Sequence, residues 1–153
     1  MIKLILRGYF DFDSYEIWQL FYDTVHFVNA SDYTKEQLDV WASRNTDHIE
    51  WGKARLGQGT IVACEGKKIV GFGKMTPTGL LDMLYVHKDY IKKGVGTLIC
   101  DELEKQCETS EITVYASITA KPFFEKRGYK VIKENEVERE GVALINFLMT
   151  KHL

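Results

Sequence analysis

The chain has 153 residues, 45% of them hydrophobic and 27% charged, with a formal net charge of -2 at pH 7. That length bounds one domain, 1–153, with a single sizeable core, and the charge balance argues against nucleic acid or a membrane surface as partner. No apolar run approaches the roughly 18 residues of a membrane span, and the apolar start MIKLILRGYFDFDSYE lacks a signal-peptide cleavage pattern, so a cytoplasmic protein is expected.

The first segment, IKLILRGY, is rich in β-capable residues and predicts a strand. From Ser14 to Val28 apolar residues recur at helical spacing (Ile17, Trp18, Phe21, Tyr22, Val25), with Asp13 or Ser14 as cap. NASDYTKEQLDVWAS reads as a turn and a second helix, with Thr34 and Gln37 spaced as a capping box and Leu38 and Trp41 on its apolar face. GTIVACEGKKIVGFGKMT is a hairpin turning at Glu65-Gly66-Lys67. Thr76-Pro77-Thr78-Gly79 makes the next turn and LLDMLYVHK the next strand.

After that strand DYIKKGVGTLICDELE runs from a basic, glycine-containing loop into a helix. EITVYAS is a further strand. TAKPFFEKRGY is a short helix with Pro122 in its first turn and Gly128 at its end. The tail gives two strands around Glu140-Gly141. The order β-α-α-β-β-β-α-β-α-β-β defines a mixed α+β chain with about seven strands and about four helices, without an internal repeat or linker.

The three cysteines, Cys64, Cys100 and Cys107, are too few and too odd for a disulfide framework. Cys100 and Cys107 fall on one predicted helix, about 10 Å apart along its axis, which is too far for a bridge; all three read as structural thiols. The histidines His26, His48, His87 and His152 show no metal-ligand spacing, so no metal is expected.

The loop before the long helix carries the chemistry. A helix N-terminus offers unpaired N–H groups and a partial positive charge, which together hold anions. Gly94 and Gly96 allow close approach of a phosphate, Thr97 adds a hydroxyl, and Lys92 and Lys93 add local charge. The dinucleotide fingerprint fails because Ile99 stands where a third glycine is needed, and the loop lacks the Gly-Lys-Ser/Thr of a P-loop.

LDMLYVHKDYIKKGVGTLICDELE resembles motif A of the GNAT N-acetyltransferase superfamily. VYASITAKPFFEKRGYKVI resembles its motif B, ending in Gly128-Tyr129. The preceding KKIVGFGKM strand also fits. The resemblance is strong over about residues 60–133, and the element order extends it over the chain.

It implies a GNAT-like fold with a splayed central pair in a mostly antiparallel sheet, and acetyl-CoA as co-substrate. The pantetheine arm would lie along Leu84, Tyr85 and Val86, whose main-chain groups stand free in the splay. The pyrophosphate would sit on Lys92, Lys93, Gly94, Val95, Gly96 and Thr97. Thr119, Ala120, Phe123, Phe124 and Lys126 correspond to the second motif's cofactor side. Two positions depart from the pattern: Ile91 replaces the usual Gln or Arg, and Phe124 replaces the Tyr that in many relatives protonates the departing thiolate. Tyr85 or Tyr115, a water, or no acid at all then takes that part.

A lysine-like amine of pKa about 10.4 must lose a proton before it attacks. Asp82 is the named base, with His26 a weaker one. The acceptor side is expected from the first two helices and their loop, where Tyr33, Trp41 and Trp51 could line a pocket and Asp32 or Asp47 could meet a cationic amine. The reading is acetyl transfer from acetyl-CoA to a primary amine of a small molecule or peptide by direct attack in a ternary complex. The alternative is an acyl-CoA sensor of the same fold, which Ile91 and Phe124 keep open. Pairing of the final strands between subunits would make a homodimer.

Overall fold

A computed structural model describes residues 2–153. Its centre is a seven-stranded sheet in the order β1-β2-β3-β4-β5-β7-β6. The strands are β1 (Ile5–Gly8), β2 (Thr60–Glu65), β3 (Lys68–Met75), β4 (Leu80–Val86), β5 (Glu111–Ser117), β6 (Lys130–Arg139) and β7 (Val142–His152). All neighbours are antiparallel except β4 and β5.

Five helices cover the faces: α1 (Ser14–Phe27), α2 (Lys35–Trp41), α3 (His48–Arg55), α4 (Val95–Gln106) and α5 (Lys121–Lys126). The sequence predicts four, and α3 is the one it lacks. Asp47 caps α3, accepting from the N–H groups of Ile49 (2.9 Å) and Glu50 (3.3 Å). The only buried residue of α3 is Gly52, where an added Cβ would stand 2.9 Å from Ser14 Cβ of α1. A helix that docks through a glycine has no apolar stripe to show. The predicted capping box of α2 is present: Gln37 N–H donates to Thr34 Oγ1, and Thr34 N–H donates to Gln37 Oε1.

On one face α4 buries Val95, Ile99, Cys100 and Leu103. It lies close to β3 because Gly71 and Gly73 leave room: a Cβ there would meet Val95 Cγ1 or Ile99 Cγ2 at 2.7 Å. On the other face α1 packs Ile17, Leu20, Phe21 and Val25 with Val62, Phe72 and Met83. Cys64 and Cys100 are buried free thiols; Cys107, expected within the helix, is instead the half-buried C-cap of α4.

Two irregularities of β4 position the site. Lys74 pairs with Met83 and Met75 with Leu81, so Asp82 is opposed by no residue of β3 and forms a bulge. As a result Leu81 joins the α4-side core and Met83 the α1-side core, although residues two apart on a regular strand share a face. In addition, β4 and β5 pair only at Leu80–Thr113 and Leu81–Val114, then diverge. The splay expected from the sequence is therefore present.

Candidate active site

The splay leaves one edge of β4 unpaired. His87 N–H donates to Val70 O at 2.8 Å, so His87, Tyr85 and Met83 direct their main-chain groups to β3. Leu84 and Val86, the alternate residues, direct theirs into the gap. One of those groups is taken: Thr24 Oγ1 of α1 donates to Val86 O at 2.8 Å. Such groups at an open edge need a partner.

At the end of the gap the chain turns into α4. Gly94 caps the helix at φ 84, a left-handed conformation that favours glycine, and no side chain caps the helix. The amides of Val95, Gly96 and Thr97 thus have no intrahelical acceptor, and the first bond of the helix runs from Leu98 N–H to Gly94 O. A Cβ on Gly94 would meet nothing within 4 Å, while Gly96 lies against the Phe123 ring and Val86. Among the described residues Lys92 and Lys93 form no ion pair; Lys93 Nζ stands 5.4 Å from the Tyr90 ring centroid. Ile91 is exposed.

A cavity of about 580 Å³ opens on the α1 side of the splay. Phe21, Trp41, Trp51 and Tyr85 form an aromatic floor, with Tyr33 and Tyr115 beside it. A smaller cavity of about 80 Å³ occupies the gap itself and reaches Leu84, Ala120 and Phe124. Both are lined by Trp41, Asp82, Tyr85 and Tyr115, so one space runs from the gap to the larger cleft.

The bulge gives Asp82 an exposed place on both cavities. Tyr85 is packed edge-on to Phe21 and stacked on Phe72, and its hydroxyl accepts from Trp41 Nε1 at 3.2 Å. Burial raises the Tyr85 phenol above its ordinary value, against the smaller opposing effects of the Trp41 bond and of Arg55 and Arg139. It is therefore protonated at neutral pH and can donate. Tyr115 is 49% exposed.

The other candidate residues fall in different places. Phe124 is 2% exposed, packed against Phe123 and Tyr129, and lines the smaller cavity. His26 is not at the cleft: its Nε2 lies 2.7 Å from Ala42 O and its ring packs on Tyr22. Asp47 is the α3 cap, and Asp32 accepts from Thr119 Oγ1 at 2.7 Å, so neither lines the cavity and Thr119 is engaged within the fold. Lys126 is exposed on α5. Tyr33 does line the cavity, but its hydroxyl also ties β7 to the residue after β5, donating to Ile145 O (2.6 Å) and accepting from Ile118 N–H (3.0 Å).

The far wall was missed by the sequence reading. It comes from the β6–β7 hairpin, where Asn135, Val137 and Arg139 line the cavity and Glu134, Glu136 and Glu138 are exposed. Asn135 Nδ2 donates to Asn146 Oδ1 at 2.9 Å across the hairpin. Alternation in KENEVER was the available signal. Arg55, at the end of α3, completes the rim.

A splayed strand pair, a glycine-capped helix at its mouth and a cleft beside a bulged strand are the arrangement that the resemblance to N-acetyltransferases implies. Comparison with known proteins agrees. The acetyltransferase (GNAT) domain family model matches residues 29–151. The uncharacterized N-acetyltransferase YafP of Escherichia coli is 33% identical over 150 residues, 97% of this chain and 96% of that one. A GCN5-related N-acetyltransferase from Rhodopseudomonas palustris superposes with a TM-score of 0.90 at 35% identity, covering 100% of this chain and 98% of that one. The PaiA N-acetyltransferase of Thermoplasma acidophilum, solved in complex with coenzyme A, shares the fold at 18% identity and a TM-score of 0.74, over 99% and 100% of the two chains. The chain belongs to the GNAT acetyltransferase family. Among the described residues no group of three or more His, Cys, Asp or Glu could hold a metal ion, and no helix is long and apolar enough to cross a membrane.

Proposed function

We propose that this cytoplasmic, single-domain enzyme transfers the acetyl group of acetyl-CoA to the primary amine of a small molecule or peptide, by direct attack in a ternary complex. The observation that carries this reading is the open β4 edge leading to the uncapped amides of α4. The pantetheine amides pair with the gap-facing groups of Leu84 and Val86, beside Tyr85. The pyrophosphate sits on the Val95, Gly96 and Thr97 amides with Gly94 beneath it and Lys92 and Lys93 at its side. Ala120, Phe123 and Phe124 flank the carrier with apolar surface, and Thr119 and Lys126 lie further out on that side. The complex of the Thermoplasma relative with coenzyme A supports this assignment.

In this reading the amine enters from the large cleft and gives its proton to Asp82. The neutral nitrogen attacks the thioester carbon, and a main-chain N–H of Leu84 or Val86 stabilises the oxyanion. As the C–S bond breaks, the Tyr85 hydroxyl protonates the thiolate, and the second proton lost by the attacking nitrogen restores the phenol. Tyr85 thus replaces the acid that Phe124 cannot be. The outer edge of β6 pairs with no other strand among the described residues, which suits strand pairing in a homodimer.

The test is thiol release from acetyl-CoA with a panel of primary amines. Amine-dependent release, with one acetylated amine per thiol, supports the reading. Acetyl-CoA binding without release on any amine would make the protein a sensor.

A further inference from the structure

The chain has five arginines, and three are committed elsewhere. Arg7 is paired with Asp13 at 2.8 Å, Arg127 with Asp101 and Glu104 at 2.9 and 3.0 Å, and Arg44 lies over the Tyr22 ring. The other two, Arg55 and Arg139, line the large cavity. Among the described residues neither guanidinium forms an ion pair, although the carboxylates of Asp82 and Glu140 line the same space. Their positions are built. Lys74 Nζ donates to Arg55 O at 2.8 Å, fixing the end of α3. Arg139 ends β6 just before the Glu140-Gly141 turn, where both residues have positive φ (50 and 80).

Two unpaired guanidinium groups on one cleft, from elements far apart in the sequence, offer donors to a planar or tetrahedral oxyanion. Both also act electrostatically on the Tyr85 phenol. Their charge therefore reaches the floor where the amine would react. Resting on the assignment of this cleft to the acceptor, we propose that the acceptor amine carries an oxyanion, a carboxylate or a phosphate, held by Arg55 and Arg139 while its amino group faces Asp82. The cleft would then bind a zwitterion, its anionic group at the two guanidiniums and its amino group at the Asp82 carboxylate. Arg55 is half-buried and Arg139 exposed; the Arg55 contact lies in the lower dielectric and contributes more.

The experiment uses the full chain, saturated with coenzyme A, and two matched ligand sets. One compares amino acids with their primary amides; the other compares amino alcohols with their phosphate esters. Calorimetry reads affinity, and thiol release with acetyl-CoA reads kcat/KM. In either set the anionic member should be favoured by about tenfold or more, and the set showing this identifies carboxylate or phosphate. Arg55→Gln should remove most of the preference, Arg139→Gln part of it, and the double variant all of it, with coenzyme A affinity unchanged. Equal affinity for charged and neutral members, or a preference that survives in the double variant, overturns the proposal. Because binding is read without turnover, absence of transfer on every amine contradicts the proposed catalysis and leaves the anion preference to be decided by calorimetry.

Discussion

Two polar regions of the molecule are built on opposite terms. At the corner of α4, α5 and β7, Glu104 accepts from Lys151 Nζ at 2.8 Å, Tyr129 OH at 2.8 Å and Arg127 Nε at 3.2 Å. Burial alone would raise the Glu104 carboxyl, but these three bonds outweigh it and hold it below its ordinary value. Burial also pushes the Tyr129 phenol up, and its bond to Glu104 adds to this. Around the splay the reverse holds. Apart from Val86 O, which Thr24 holds, the gap-facing main-chain groups of Leu84 and Val86, three amides of α4 and two guanidiniums have no protein partner among the described residues. Polar groups that complete one another bind the fold together; polar groups left incomplete at an open surface await a ligand.

Variants can break that contrast at either end. The largest effect is expected for Glu104→Ala, which leaves Lys151 and Arg127 uncompensated and should cost about 3 kcal/mol in denaturant unfolding. Because the folded carboxyl titrates below the unfolded value of 4.5, its contribution is complete above that value. It is lost as pH falls through the depressed folded value. Wild type should therefore lose stability on acidification below about pH 4.5 more steeply than the variant. Parallel curves would show that Glu104 is not the group responsible.

At the splay, Asp82→Asn should lower kcat/KM about 100-fold at neutral pH, the usual order for a general base. The deficit should shrink as pH approaches the amine's own pKa, where no base is needed. A pH-independent deficit would remove Asp82 from that role. Tyr85→Phe should lower kcat about tenfold, towards the low end of acid assistance, and leave coenzyme A affinity intact; an unchanged kcat would mean that the thiolate leaves unprotonated. Phe124→Tyr should be the mildest, since its ring is enclosed by Phe123 and Tyr129. A large fall in rate there would place position 124 nearer the chemistry than its packing indicates.

How far the sequence could be read follows from what each feature depends on. The β4–loop–α4 unit was legible because its signals are local: an apolar strand, two glycines and a helix within one stretch. The hairpins and the Thr34 cap were legible for the same reason. Helix α3 was not, because its docking contact is Gly52 and its most telling residue, Asp47, read equally well as a cleft carboxylate. The bulge at Asp82 depends on how β4 pairs with β3, which residue types alone do not state. Arg139 and Arg55 share a cavity only through the fold, in which the sheet order places the final hairpin beside β5. A one-dimensional pattern shows which face of β6 is special without showing what it faces.

The central claim is that main-chain donors at the mouth of α4 hold the pyrophosphate of coenzyme A. Its most direct test is calorimetric titration of coenzyme A into wild type, Gly94→Ala and Gly94→Trp. Both variants carry the same backbone strain at φ 84, about 1 kcal/mol or more, but only Trp fills the open space above the loop. The account predicts one coenzyme A per wild-type chain, affinity largely retained in the Ala variant, and at least about a tenfold loss, 1.4 kcal/mol, in the folded Trp variant. Equal affinity in all three, or no uptake by folded wild type, would contradict it.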